Sequence, residues 1–138
     1  MITFEHVSMT YPSGIEALKD TCFRIDDRER IVLYGPSGSG RTTILSLLAG
    51  LIKPTKGKIY KEKEQPVRLV FQEDRLFDHL SVYENIAFGL DRSCFNETEI
   101  ESQVREIARL TRTDKYLGQK TASLSGGQRQ RVAIARAL

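Results

Sequence analysis

Residues 35–43 read GPSGSGRTT, a run whose residue types suit the holding of a phosphate. Gly35, Gly38 and Gly40 allow a positive φ and a close approach of the backbone to an anion. Pro36, Ser37 and Ser39 complete a run whose successive N–H groups can form a concave nest. A helix starting there adds partial positive charge at the same place. The Thr42 hydroxyl can ligate a magnesium ion shared with phosphates, and Thr43 follows it into the helix. The pattern for such a loop is G-x-x-x-x-G-K-[ST] between a buried strand and a helix. Gly35, Gly40 and Thr42 match it, but Arg41 stands where lysine is expected. Arginine keeps the charge and pairs with phosphate. It is also longer, planar and forked, so weakened nucleotide binding is the expectation. The plainer reading is a glycine-serine turn between a core strand and a core helix, and the departure at Arg41 leaves it open.

The elements that must position this run are legible on both sides. ITFEHVSMTY and ALKDTCFRID alternate as strands around the turn signal YPSG, which predicts an antiparallel pair. RIVLYG and VRLVFQ are short continuous apolar runs, expected as parallel-core strands buried on both faces. In TTILSLLAGLI, Ile44, Leu45, Leu47, Leu48 and Leu51 recur at helical spacing, with Gly50 and Pro54 marking the end. GKIYK predicts a further strand, and KGKIYKEKEQ reads as a solvated strand and turn. From Glu73 the pattern turns helical: SVYENIAFGL, then NETEIESQVREIARLTR with Asn96 as N-cap and Glu99 three residues on. SLSGGQRQRVAIARAL runs from a serine-glycine turn into a last helix.

Composition bounds the rest. The chain has 138 residues, 40% hydrophobic and 28% charged, enough for one domain with a modest core. A net charge of +3 does not argue for nucleic acid, and no nucleic-acid partner is expected. Two lone cysteines, Cys22 and Cys94, make no disulfide framework and point to a reducing compartment. Cys22, inside TCFRI, is expected as a small core residue. His6 and His79 stand far apart without ligand-spaced neighbours, which argues against a histidine metal site. No signal peptide is visible, and ILSLLAGLI is too short to span a bilayer.

LSGGQ, residues 124–128, is the most specific run in the chain: chance places five such residues about once per million start positions. Downstream of the phosphate loop it resembles the signature of ATP-binding cassette (ABC) ATPases. RQRVAIARAL, and LVFQEDRLFDHLSVYENIAFGL around the Q-loop, are similar to the same family. The fold this implies is α/β: a P-loop NTPase cassette with an N-terminal antiparallel β subdomain and an inserted helical subdomain. The implied division is 1–72 for the β subdomain and phosphate-loop core, 73–124 for the helical subdomain and 125–138 for the signature helix. The resemblance implies ATP and Mg2+ as cofactors. It implies that Tyr11 stacks on adenine, that residues 35–43 hold the phosphates, and that Thr42 and Gln72 lie at the metal, with Gln72 near the attacking water. Ser125, Gly126, Gly127 and Gln128 would face the ATP of a second cassette in a head-to-tail dimer. Residues 74–84 would dock a membrane permease subunit, with Leu76, Phe77 and Leu80 presented to it.

By the same resemblance the chain would be the ATP-binding subunit of a transporter. It would lie in the cytoplasm, peripheral on the inner face of the cell membrane. Import is favoured, in the group handling nitrate, sulfonate or taurine-like anions, with a solute-binding protein in the full system. The Walker B aspartate, the glutamate that polarises water and the switch histidine have no match in these residues. The sequence is therefore expected to be the N-terminal part of a cassette, ending before the Walker B strand, that binds ATP weakly with little hydrolysis. A topological argument agrees, since the last helix has no following strand to complete a crossover, and its face of Val132, Ile134, Ala135 and Leu138 would meet an incomplete sheet. A non-catalytic remnant or regulatory nucleotide-binding module uses the same surfaces, and Arg41 favours it. A soluble ABC ATPase of DNA repair or translation would carry long insertions or a second cassette.

Overall fold

The computed structural model describes residues 1–62, 67–91 and 93–138. The chain divides into two compact units, Met1–Val67 and Arg68–Leu138. Among the described residues no helix is long and apolar enough to cross a membrane.

The first unit is a three-stranded antiparallel sheet with one helix. β1 (Ile2–Thr10), β2 (Glu16–Ile25) and β3 (Lys56–Lys61) lie in the order β2-β1-β3. The expected hairpin forms at YPSG, where the Tyr11 carbonyl accepts from Gly14 N–H and Tyr11 N–H donates to the Ile15 carbonyl. Phe4 pairs with Phe23 on one side and Ile59 on the other, and the Phe4 and Phe23 rings stack 4.3 Å apart. Phe4, Val7, Met9 and Leu18 are buried together with Leu47 of helix α1 (Arg41–Leu48), which closes the apolar face. The end of the predicted turn, over residues 63–65, lies outside the described residues.

The loose alternation of β1 and β2 has a structural cause. In β1 the buried positions run Phe4, then Val7 and Met9, so the parity changes across Glu5 and His6. In β2 Leu18 is buried, and the inward positions then shift to Thr21, Phe23 and Ile25. Each strand carries an irregularity there, with His6 at φ 50° and Asp20 at φ 43°. An extra residue flips every side chain beyond it to the other face. Cys22 is consequently exposed, against the core position expected for it.

The second unit is helical. α2 (Val82–Phe88), α3 (Glu97–Leu110) and α4 (Gly126–Arg136) all begin with capping boxes: Ser81 with Glu84, Asn96 with Glu99, and Ser125 with Gln128. Asn96 and Glu99 hold the predicted roles. Val82, Ile86, Ile100, Val104, Ile107, Val132 and Ala135 form one core with Leu76 and Leu124. The apolar side of α4 thus packs on helices, with Ile134 and Leu138 left exposed. Gly89 is required by proximity, since a Cβ there would lie 1.9 Å from the Arg136 carbonyl oxygen. Fully buried Asn85 pins the preceding loop: it accepts from Phe77 N–H at 3.0 Å and donates to the carbonyls of Phe77 and Ser81.

Two expected strands do not form. Residues 30–35 and 67–72 have no regular structure, and Val32 and Tyr34 are 87% and 97% exposed. An apolar run becomes a strand only when a neighbour takes up its N–H and C=O groups. Among the described residues neither segment has such a neighbour.

Candidate functional site

The phosphate-loop sequence folds as a tight turn into α1. Ser39 N–H donates to the Pro36 carbonyl at 3.2 Å, and Gly38 and Gly40 both take positive φ, 82° and 83°. Gly40 is the N-cap of α1, and no side chain caps the helix. No acidic residue sits in its first turn either. The helix start therefore keeps its partial positive charge and its first N–H groups for an external acceptor. Gly40 also lies against β2: a Cβ there would fall 2.5 Å from the Ala17 carbonyl oxygen. Pro36, Ser37, Gly38, Ser39, Arg41 and Thr42 are exposed, and Gly35 is half-buried. A Cβ on Gly35 would approach the Ser39 hydroxyl to 2.6 Å. The loop thus presents backbone, the hydroxyl residues Ser37, Ser39 and Thr42 and one guanidinium to solvent, a donor set that fits a polyphosphate with its magnesium ion.

Tyr11 belongs to the same unit and meets the loop's helix. Its hydroxyl and the Thr43 hydroxyl lie 3.0 Å apart in a hydrogen bond, with Thr43 itself buried. The sheet therefore fixes Tyr11 beside α1, and the last residue of the GPSGSGRTT run serves this anchoring.

In the second unit the signature residues open α4. Ser125 Oγ accepts from Gln128 N–H at 3.4 Å, and Gln128 Oε1 accepts from Ser125 N–H at 2.9 Å. Ser125, Gly126 and Gly127 are exposed, and a Cβ on either glycine would meet nothing within 4 Å. Gln72 is exposed in an irregular segment rather than at a strand end. Leu76 is buried in the helical core and Phe77 packs edge-on against Phe88, so the expected exposed stripe at 76–80 is largely internal packing.

Sequence reasoning did not single out Arg129, which ties the signature helix to the loop after Gln72. Its guanidinium binds both Asp74 oxygens at 2.8 Å, Asp78 at 2.8 Å and the Thr121 carbonyl at 2.9 Å. The Arg129 hydrogen bonds hold the Asp74 carboxyl below its usual range, helped by Leu76 N–H and opposed by burial. The same contacts push the guanidinium up. Arg136 hydrogen-bonds the carbonyls of Arg75 and Asp74, and its partial burial lowers its pKa. The only sequence signal for the cluster is acidic residues at 74 and 78, one helical turn apart, in a segment that is not helical.

A family model described as ABC transporter matches residues 18–138. The sn-glycerol-3-phosphate import ATP-binding protein UgpC of Rhodopseudomonas palustris (strain BisB18) is 42% identical over 99% of this chain and 40% of its own length. The spermidine/putrescine import ATP-binding protein PotA of Protochlamydia amoebophila (strain UWE25) is 44% identical over 99% of this chain and 39% of its own length. The chain thus spans about two fifths of these curated relatives. Among solved structures, the dimeric ATP-binding cassette MJ0796 bound to ADP and Pi superposes with a TM-score of 0.86 at 32% identity, covering 100% of this chain and 69% of that one. The cbiO1 protein of Clostridium perfringens, part of the cbiONQ transporter complex, gives 0.84 at 29% identity, covering 99% and 60%. The fold is accordingly that of an ABC-type P-loop cassette over its N-terminal portion. Both curated names share import, while one cargo is an anion and the other a polyamine cation. Neither names the nitrate, sulfonate or taurine-like group.

Proposed function

The chain belongs to the ABC transporter family, and from that premise we propose that it is the nucleotide-binding portion of an importer's ATP-binding subunit. The observation that carries the reading is the start of α1: a positive-φ glycine N-cap, no side-chain cap, and an exposed Thr42 and Arg41 beside it. ATP would supply the polyphosphate anion for that nest, and Mg2+ would neutralise its charge with Thr42 as a protein ligand. Residues 35–43 bind and orient the phosphates. Tyr11 offers its ring face to the base while its hydroxyl is held by Thr43. Gln72 is the candidate for positioning water or metal, and residues 125–128 are the candidate contact to the ATP of a second cassette.

A membrane permease partner, a solute-binding protein, a head-to-tail dimer and a location on the cytoplasmic membrane face belong to this proposal. So does the organisation into a β and phosphate-loop region (1–72), a helical region (73–124) and a signature helix (125–138). The names of the relatives and of the dimeric MJ0796 structure support import, ATP binding and dimerisation for those proteins. The 138 residues are expected to bind Mg-ATP weakly, because Arg41 stands where the loop pattern has lysine. A regulatory nucleotide-binding role without turnover is the second reading, favoured by Arg41.

Equilibrium binding of a fluorescent ATP analogue with Mg2+ tests the proposal. Arg41→Lys should tighten binding about 10- to 100-fold, or about 1.4–2.8 kcal/mol. Thr42→Ala should remove the Mg2+ dependence. Binding indifferent to both substitutions would place the nucleotide elsewhere.

A further inference from the structure

We propose that His6, Asp20 and Cys22 form a surface site for a thiophilic divalent cation, with Zn2+ as the intended class. The irregularities of β1 and β2 create it. After the parity change, Asp20 and Cys22 stand two residues apart on the exposed side of β2, and His6 occupies the matching defect in β1. A ring nitrogen of His6, a carboxylate oxygen of Asp20 and the Cys22 sulfur all lie within 4.8 Å of one another. His6 Nδ1 and Asp20 Oδ1 are 2.7 Å apart. His6 N–H donates to Cys22 Sγ at 3.2 Å, and Asp20 N–H donates to Ser8 Oγ at 2.9 Å. β3 holds the defect from the other side, because Gly57 packs so closely that a Cβ there would lie 2.2 Å from the His6 carbonyl oxygen.

The donor set decides the ion. Imidazole, carboxylate and thiolate together are what Zn2+ binds, and a sulfur ligand disfavours Mg2+ and Ca2+. Zn–N and Zn–O bonds of about 2.0 Å and a Zn–S bond of about 2.3 Å place tetrahedral donors roughly 3.3–3.6 Å apart. The three donor atoms already lie within 4.8 Å of one another, and all three residues are exposed, so a cation can reach them from solvent. Three protein ligands leave a fourth position for water. The site uses none of the residues assigned to nucleotide, and it joins β1 to β2 where their ladder is broken. Sequence spacing concealed it because His6 lies in a different strand from Asp20 and Cys22, and the cysteine reads as core by simple alternation.

Titration of the reduced chain with Co2+, followed by displacement with Zn2+, tests the site. One equivalent should bind and produce a sulfur-to-cobalt charge-transfer band. Cys22→Ser should abolish the band, Cys94→Ser should keep it, and His6→Ala or Asp20→Asn should weaken binding at least about tenfold. In the unsubstituted chain, Zn2+ should protect Cys22 but not Cys94 from alkylation, a readout independent of how any variant folds. Absence of the band, its persistence in Cys22→Ser, or equal alkylation of Cys22 with and without Zn2+ would overturn the assignment.

Discussion

Two helices in this protein begin with glycine and serine, and they treat their N-termini in opposite ways. α1 starts at Gly40 in the left-handed region, with no side-chain cap and its backbone against the sheet. α4 starts at Ser125, whose hydroxyl and N–H are both engaged with Gln128, while Gly126 and Gly127 stand in open space. The first glycine is demanded by its own unit's packing and conformation. The other two have no such demand within this chain. The start of α1 is thus shaped by packing and backbone conformation within its unit, whereas at the start of α4 the cap alone fixes the turn and the two glycines stay open.

The largest effect should come from the anchor of the signature helix. Arg129→Ala leaves Asp74 partly buried without its bidentate partner and should cost about 2–3 kcal/mol in urea unfolding. The pH dependence sharpens this. The folded Asp74 carboxyl is held below its ordinary value, so its contribution is present at neutral pH and is lost as pH falls through the folded value. The stability difference between the protein and Arg129→Ala should therefore shrink below about pH 4. A constant difference down to pH 2 would assign the loss to packing.

The two sets of glycines separate next. Gly40→Ala combines a positive φ with a contact at 2.5 Å to the Ala17 carbonyl, and should lower stability by about 2 kcal/mol and weaken ATP binding. Gly127→Ala should leave the stability of this chain unchanged or raise it by up to about 1 kcal/mol. Equal losses at both positions, measured by thermal unfolding, would break the distinction. The smallest loss is that of Ser125→Ala, expected to destabilise by about 1 kcal/mol through loss of the cap. Ser125→Asn should recover most of it.

Much of this was legible before the fold was known. The hairpin at YPSG, β3, α1 and the capped α3 follow from local signals, as do Gly38 and Gly40 at positive φ. The missed features are all non-local. RIVLYG and VRLVFQ look like strands, but a strand needs neighbours. Cys22 looked buried because alternation was extended through a bulge. Arg129 looked like one of several basic residues until Asp74 and Asp78, more than fifty residues earlier, were brought to it.

The sequence by itself determined the family, the glycine-rich turn into α1 and the Asn96–Glu99 cap of α3, because those depend on residue types at short, fixed spacings. Only the tertiary structure decided which side of the sheet Cys22 and Asp20 face, that Tyr11 is held by Thr43, and which carboxylates Arg129 binds. Each of those rests on contacts between distant segments, and a single inserted residue or an unpaired strand is enough to reverse them.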